Sequence, residues 1–433
     1  MIKNSINDIK ELCEYIWDLE DKYDLFNLEV NGINPWAAYR MDIYFELAKK
    51  FGIFDKKLNL KTSKIDKVIY FFRLLKNSIT YYKDYKFKKV DVLIFSWGRT
   101  KKIKNKLIDP YTYYLEKKLN KQKTSFLEFE SPYKGKHIRK KKSYKIYLDK
   151  ILILRNILNL FVKTKIDIKN KKIIKMLSKE INKDNNTPFF DIEQLLISNT
   201  KKFIPTYSYY LDILKKTQPK VIYIVVSYGQ GELIKAANDL NIEVIELQHG
   251  TFSKYHLGYS FPKGYNAKYL PKKFYVWNNY WKNLMSFPIK SENIKIYPCQ
   301  YLEIEKKKYQ NIIKKKNSLI VLSQGANTEV IAKKLIENIA YFKKFEITFK
   351  LHPNEYHMRS KHKKLTYLQK KYNVSIVTNV DLYEYLAKSE YQAGVFSTAL
   401  YEGVEFNCKT ILLKLPGIEY MDQFIKINKP IIK

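Results

Sequence analysis

The sequence predicts an α/β protein built from two Rossmann-like parallel-sheet domains facing a cleft, with a helical N-terminal region and a helical insertion. Three observations predict it. Apolar runs of strand length alternate with helical stretches in two series, and strands separated by helices pair in parallel. The chain has 433 residues, too many for one hydrophobic core and enough for two domains. Three of the apolar runs end in short polar motifs: His249-Gly250-Thr251 after residues 244–248, His352-Pro353 after 347–351, and Ser397-Thr398 after 393–396. In an open α/β sheet, ligands bind where strands end and helices begin, because backbone N–H groups and helix dipoles converge there.

The elements follow in order. Residues 1–85 read as helical, with Ile9, Leu12, Cys13, Ile16, Trp17 and Leu19 spaced three and four apart, and Pro35 opens a further helix. Residues 90–96 form a buried strand ended by Trp97-Gly98-Arg99, and 124–129 a second one. Residues 135–216 are Lys-rich with helical periodicity, which predicts a helical insertion or lid. From 220 the alternation returns: strand 221–226, turn 227–231, helix 232–240, strands 243–247 and 273–277. Residues 303–316 read as a linker or helix. Strands then follow at 319–322, 346–351, 374–377, 391–396 and 410–413. The expected domains are 1–302 and 303–433.

The formal net charge is +37, from 80 Lys and Arg against 43 Asp and Glu. Only six of the basic residues are Arg (Arg40, Arg73, Arg99, Arg139, Arg155, Arg359). Proteins that read phosphates or base edges by bidentate contacts favour the planar Arg fork. An excess of Lys, Asn, Ile and Tyr is also what an AT-rich coding sequence produces by drift. The remaining charge suits an anionic membrane surface or an anionic polymer. No nucleic-acid motif accompanies it, so nucleic acid is not the expected partner. The three cysteines, Cys13, Cys299 and Cys408, lie far apart in no ligand spacing and fit a reducing compartment. No signal-peptide core follows Met1 and no apolar window reaches membrane-spanning length. The expectation is a cytoplasmic protein, soluble or peripheral to a membrane.

The motifs carry the chemistry. Gly250 lets the backbone turn sharply after His249, leaving a near-neutral base at the sheet edge. The bland alternative is a buried histidine that holds a loop, but Ser253, Lys254, Tyr255 and His256 crowd the same loop, and buried polar clusters are costly away from a cleft. His352-Pro353 fixes an imidazole beside Lys350, which suits a phosphate; alone, the pair also describes a plain strand end. Ser397 and Thr398 are natural helix caps, and two hydroxyls with free N–H groups also cradle an anion. Glu402, four residues on, is placed to hydrogen-bond a ribose diol. Ser323-Gln324-Gly325 ends the first strand of the same domain. Glu232 is a second carboxylate candidate, although acidic residues at helix starts commonly serve the dipole alone. No Asp-x-Asp, phosphate-loop or zinc spacing occurs, which leads to a metal-free expectation in which lysines and helix N-termini neutralise a leaving phosphate.

In this order the three motifs resemble the GT-B-type transferases of bacterial surface polymers: teichoic-acid glycerophosphotransferases, capsule polymerases such as polysialyltransferases, and capsule-associated Kdo transferases. The resemblance spans roughly 220–415. His249-Gly250-Thr251 is similar to the family's His-Gly-Thr, His352-Pro353 to its His-Pro, and Ser397-Thr398 to its paired hydroxyls. The 381–387 segment is similar to the helix before the Ser-Thr strand. Phe252-Ser253-Lys254 after the first motif, and Gly231-Glu232 in reversed order, leave the branch open. The resemblance implies a GT-B-like fold and a glycosyltransferase of capsule or lipopolysaccharide synthesis. It would take sugar from a nucleotide-activated donor, CMP- or CDP-linked. Residues 303–433 would bind that donor through His352, Pro353, Ser397, Thr398, Glu402, Ser323, Gln324 and Gly325. His249, with Glu232, would be catalytic, and Gly250, Thr251, Lys254 and His256 would face a glycan or lipid-linked acceptor at the inner leaflet. Apart from the nucleotide-sugar co-substrate, no cofactor or metal is implied. A glycerol- or ribitol-phosphate transferase is the alternative within the fold, and a basic nucleic-acid-binding protein the alternative outside it.

Overall fold

A computed structural model describes residues 6–53, 64–82, 87–103, 106–132, 135–137, 139, 141–184, 186–262, 264–265, 267–284, 288–324 and 327–433. Its strands are β1 (Val92–Ser96), β2 (Lys101–Ile103), β3 (Lys106–Ile108), β4 (Phe126–Glu130), β5 (Lys145–Tyr147), β6 (Val221–Ile224), β7 (Glu243–Leu247) and β8 (Lys273–Val276). They continue with β9 (Ile294–Ile296), β10 (Lys315–Leu322), β11 (Glu346–Lys350), β12 (Ser375–Val377), β13 (Ser389–Gly394), β14 (Lys409–Leu412) and β15 (Ile431–Ile432).

The first sheet has the order β5-β4-β1-β6-β7-β8-β9 and the second β12-β11-β10-β13-β14-β15. Every pairing within both is parallel. Parallel sheets carry helices on both faces, which is why β1 (Val-Leu-Ile-Phe-Ser) is buried throughout instead of alternating. In the first sheet the chain runs outward from β1 through β4 to β5, then returns to β6 on the other side of β1. In the second it runs from β10 through β11 to β12, then returns to β13. Strand order therefore reverses between β1 and β6 and between β10 and β13, and ligands bind at such switch points. The expected two-domain α/β architecture stands.

The N-terminal region is helical, as its periodicity predicts: Ile9–Lys22 is capped by Asp8, whose side chain accepts from the Glu11 N–H, and Pro35–Ala38 by Asn34. These helices share a core with Ile168–Ile181 and Ile192–Thr217 through Leu12, Ile16, Trp36, Ile174, Leu177 and Leu196. Beneath it Arg40 and Glu20 form a buried ion pair at 2.6 Å.

Three expectations need correction. The 135–216 stretch contains a strand, β5, at the edge of the first sheet, where the Lys145 ammonium is buried against Glu130 at 2.7 Å and Glu128 at 3.3 Å. Those carboxylates come from β4, so the local pattern could not reveal the pairing. The helical remainder is no detached lid, because Tyr210, Ile213 and Leu214 pack on Leu93, Phe95, Ile222 and Ile224 of the sheet. Within 303–316 the helical reading holds for the Gln300–Tyr309 helix and only the end changes: β10 begins at Lys315 and not at 319, its Lys315-Lys316-Asn317 start being exposed and so reading as linker. Strands of two or three residues leave no periodicity, and β9, β15 and the antiparallel β2–β3 pair are of that length.

The domains meet through one apolar cluster in which Phe252, Phe274 and Trp281 pack with Ile320, Leu400, Tyr401 and Phe424, and through Tyr44 and Tyr420, whose hydroxyls are 2.5 Å apart. Among the described residues no helix is long and apolar enough to cross a membrane.

Candidate functional site

Each switch point delivers its loops into the space between the sheets. From the first come Arg99, after β1, and Tyr228, after β6; His249 follows β7 beside them. The turns need glycine: Gly98 has φ 75° and Gly229 φ 84°, values that favour a residue without Cβ. From the second come Ser323 and Gln324 after β10, His352 after β11, and Ser397 after β13. A Cβ built on Gly250 would lie 3.2 Å from the Thr398 hydroxyl oxygen. The His-Gly-Thr and Ser-Thr loops thus touch across the domains, although they lie almost 150 residues apart.

His249 is buried, with Nε2 3.4 Å from the Tyr228 hydroxyl. Nδ1 is buried and makes no hydrogen bond among the described residues. Burial, then the charges of Arg99 and His256, push its pKa well below the ordinary value, so the ring is neutral at pH 7 and keeps an available lone pair. Its carbonyl accepts from the Tyr111 hydroxyl at 2.7 Å. Under it, Glu246 of β7 accepts a short hydrogen bond from the Tyr259 hydroxyl, and burial raises the carboxyl to about 8. His256, pushed down to about 4 by burial, stands 5.2 Å ring to ring from Tyr228. Thr251 is half-buried and Lys254 exposed, its ammonium 4.7 Å from the centroid of the Tyr255 ring.

On the opposite wall His352 caps the short helix that Pro353 opens. Its Nδ1 accepts from the Asn354 N–H at 3.2 Å, and its own N–H donates to Ser323 Oγ at 2.7 Å. Burial, then Lys350 and Arg99, lower its pKa. With Nδ1 used as acceptor, the neutral ring carries its proton on Nε2 and presents a donor. Ser323 in turn donates to the buried Glu355 at 3.2 Å, so it braces the His352 loop. Gln324 Oε1 accepts from the Asn327 side chain at 3.0 Å and from the Phe396 N–H at 3.5 Å, tying two strand ends together. Gly325 lies outside the described residues. Ser397 caps the Thr398–Glu405 helix by accepting from the Ala399 N–H at 3.2 Å. One turn on, Glu402 accepts from the Tyr383 hydroxyl at 3.1 Å.

Three cations complete the cleft: Lys350, expected beside His352, and two that the sequence does not mark as site residues, Arg99 and Lys101. Arg99 donates to the Tyr111 hydroxyl at 3.3 Å and feels the charge of Glu402. Lys101, on the β2–β3 hairpin, reaches the second domain, where its ammonium is 5.3 Å from the centroid of the Tyr383 ring. Lys350 is pushed down to about 8 by burial and then by Lys101. Like charges disfavour one another's ionisation, so this cluster is poised for an anion. Beside Glu402 a cavity of about 670 Å³ opens, lined among others by Trp277, Trp281, Tyr401 and Glu303.

Glu232 is not brought into this group. It is buried at the start of its helix, accepts from the Tyr39 hydroxyl at 2.5 Å, and faces Arg155 and Asp42. The only hint of Arg99 in the sequence was its place just after a strongly apolar strand. Lys350 was legible from its place beside His352, whereas for Lys101 there was no hint among 74 lysines.

No protein-family model matches this sequence, and no curated protein sequence matches it. Solved structures with some likeness include a UDP-GlcNAc 2-epimerase from Methanocaldococcus jannaschii, 10% identical, covering 80% of this chain and 88% of that one, with a TM-score of 0.46. A Neisseria meningitidis UDP-GlcNAc 2-epimerase bound to UDP-GlcNAc is 14% identical, covering 75% and 82%, with a TM-score of 0.42. MurG from Acinetobacter baumannii is 12% identical, covering 79% and 86%, with a TM-score of 0.42. At these values the likeness carries no chemistry. The fold rests on the two strand orders, and the site on its residues.

Proposed function

We propose that this chain is a GT-B-type glycosyltransferase, moving a sugar from a nucleotide-activated donor to a surface-glycan acceptor in capsule or lipopolysaccharide synthesis. The observation that carries the reading is that Arg99, Lys101 and Lys350 gather near Glu402 of the Thr398–Glu405 helix, with neutral His249 beside Arg99. Residues 303–433 take the donor. His352 offers Nε2–H, and Thr398 a helix N-terminus, to its phosphate; Glu402 accepts from the ribose hydroxyls. Residues 1–302 take the acceptor. As the acceptor oxygen bonds to the anomeric carbon, the bond from that carbon to the phosphate oxygen breaks, and His249 receives the hydroxyl proton. The departing phosphate charge is balanced by the cations of the chain, with no metal required. In this reading the protein works at the inner face of a membrane, and its basic surface serves that location.

The test is calorimetric binding of CMP, CDP, UDP, GDP and ADP to the wild type, His352→Ala and Arg99→Met. One nucleotide should bind selectively. Each variant should weaken it by about tenfold or more, the size of one lost hydrogen bond to a charged group. Unchanged affinity in both variants, or phosphate carried into an isolated product, would overturn the reading.

A further inference from the structure

The first domain carries an apolar surface that the cleft does not use. The Lys64–Tyr82 helix packs beside Asp149–Leu158. The pair is antiparallel: Asn77 Nδ2 donates to Asp149 Oδ1 at 2.8 Å near one end, and Tyr70 lies close enough to Arg155 to feel its charge near the other. This register brings Val68, Ile69 and Phe72 level with the C-terminal end of the second helix. Spacings of three and four residues put Val68 and Ile69 on the same side of their helix as Phe72. All three are exposed, as are Ile157, Leu158, Leu160 and Phe161 at and beyond the end of the neighbouring helix. The exposure is large where it matters: 63% for Phe72 and 76% for both Leu160 and Phe161.

Single exposed apolar residues are ordinary, but seven gathered at one end of a helix pair mark an interaction surface. Charge identifies the occupant. From Lys150 to Lys183 the chain has ten basic residues and two acidic ones, Asp167 and Glu180. Lys163, Lys165, Lys169, Lys171, Lys172, Lys175 and Lys179 are exposed, and among the described residues none of them has an ion-pair partner. An anionic polymer would be matched by lysines alone and leaves Leu160 and Phe161 unexplained. A bilayer with anionic headgroups takes both, burying apolar side chains at the headgroup boundary while lysines meet the phosphates.

We infer that the Lys64–Tyr82 and Asp149–Leu158 pair, with Leu160 and Phe161 at its tip and the lysine-rich segment that follows them in the chain, docks this protein on an anionic membrane surface. The inference rests on the reading of the protein as peripheral to a membrane, and names the surface responsible.

Co-sedimentation of the full chain with vesicles tests it. One set is phosphatidylcholine alone, the other equal parts phosphatidylcholine and phosphatidylglycerol. The variants are Leu160→Ser with Phe161→Ser on one element and Phe72→Ser on the other, none of which changes the charge; thermal melting checks their fold. Wild type should bind the anionic vesicles and leave the neutral ones. The double variant should bind the anionic vesicles more weakly by on the order of tenfold, the worth of two partly inserted side chains, and Phe72→Ser should weaken it in the same direction. Wild-type binding in both well-folded variants would overturn the assigned surface and leave the peripheral reading intact. No binding by wild type would overturn both. Binding of dextran sulfate that weakens by the same factor in the variants would assign the surface to an anionic polymer and overturn the membrane proposal.

Discussion

Gly250 and Thr398 touch: a methyl group at position 250 would meet the Thr398 hydroxyl oxygen at 3.2 Å. This is where the first domain's His-Gly-Thr loop meets the second domain's Ser-Thr cap, and the absent side chain is what allows the approach. The Gly250→Ala variant forces the hydroxyl to give by a few tenths of an ångström. Because the neighbour is a single side-chain atom, melting temperature should barely move. Nucleotide affinity measured by calorimetry should fall a few-fold, by about 1 kcal/mol or less. Unchanged affinity would mean that Thr398 takes no part in donor binding.

Lys350 gives the cleft a pH signature. Its ammonium is held down to about 8 by burial and by Lys101. An anionic ligand favours the protonated form, so binding takes up a proton and affinity falls as pH rises through and above 8. Calorimetry in buffers of different ionisation enthalpy should register that uptake. Lys350→Met should abolish it and flatten the profile.

Glu246 predicts a stability profile. Its carboxyl is raised to about 8 by burial, whereas in the unfolded chain it titrates near 4.3. Between those values the folded state holds more protons than the unfolded state, so this group's contribution to stability is lost as pH rises across that window. The melting temperature of the wild type should decline from pH 6 to pH 9 more steeply than that of Glu246→Gln, which keeps the shape without the ionisation. Parallel curves would show that the Glu246 proton is not held.

Glu232 separates structure from chemistry. It is buried against Tyr39 and faces Arg155, away from the residues gathered around Arg99. Glu232→Ala leaves the Tyr39 hydroxyl without its partner and should cost about 1–3 kcal/mol of stability, read by denaturant unfolding. Nucleotide affinity should stay at the wild-type value. A loss of affinity without loss of stability would return Glu232 to the site.

Periodicity by itself determined a good deal about this protein. Apolar runs and helical spacings lie within a few neighbouring residues, so they were enough to predict the helical start, both βα series and the strand ends carrying His249, His352 and Ser397. Tertiary structure decided what those ends mean. Strand order placed the reversals at β1–β6 and β10–β13, and so brought Arg99, Lys101 and Lys350 together with Glu402. It also made Lys145 part of a buried strand, through carboxylates that only β4 supplies. A charge takes its role from the charges and the burial around it, and in this chain those come from segments distant in sequence. Lys350 was marked by the His352 beside it, but among 74 lysines only the fold could show that Lys101 joins it in the cleft.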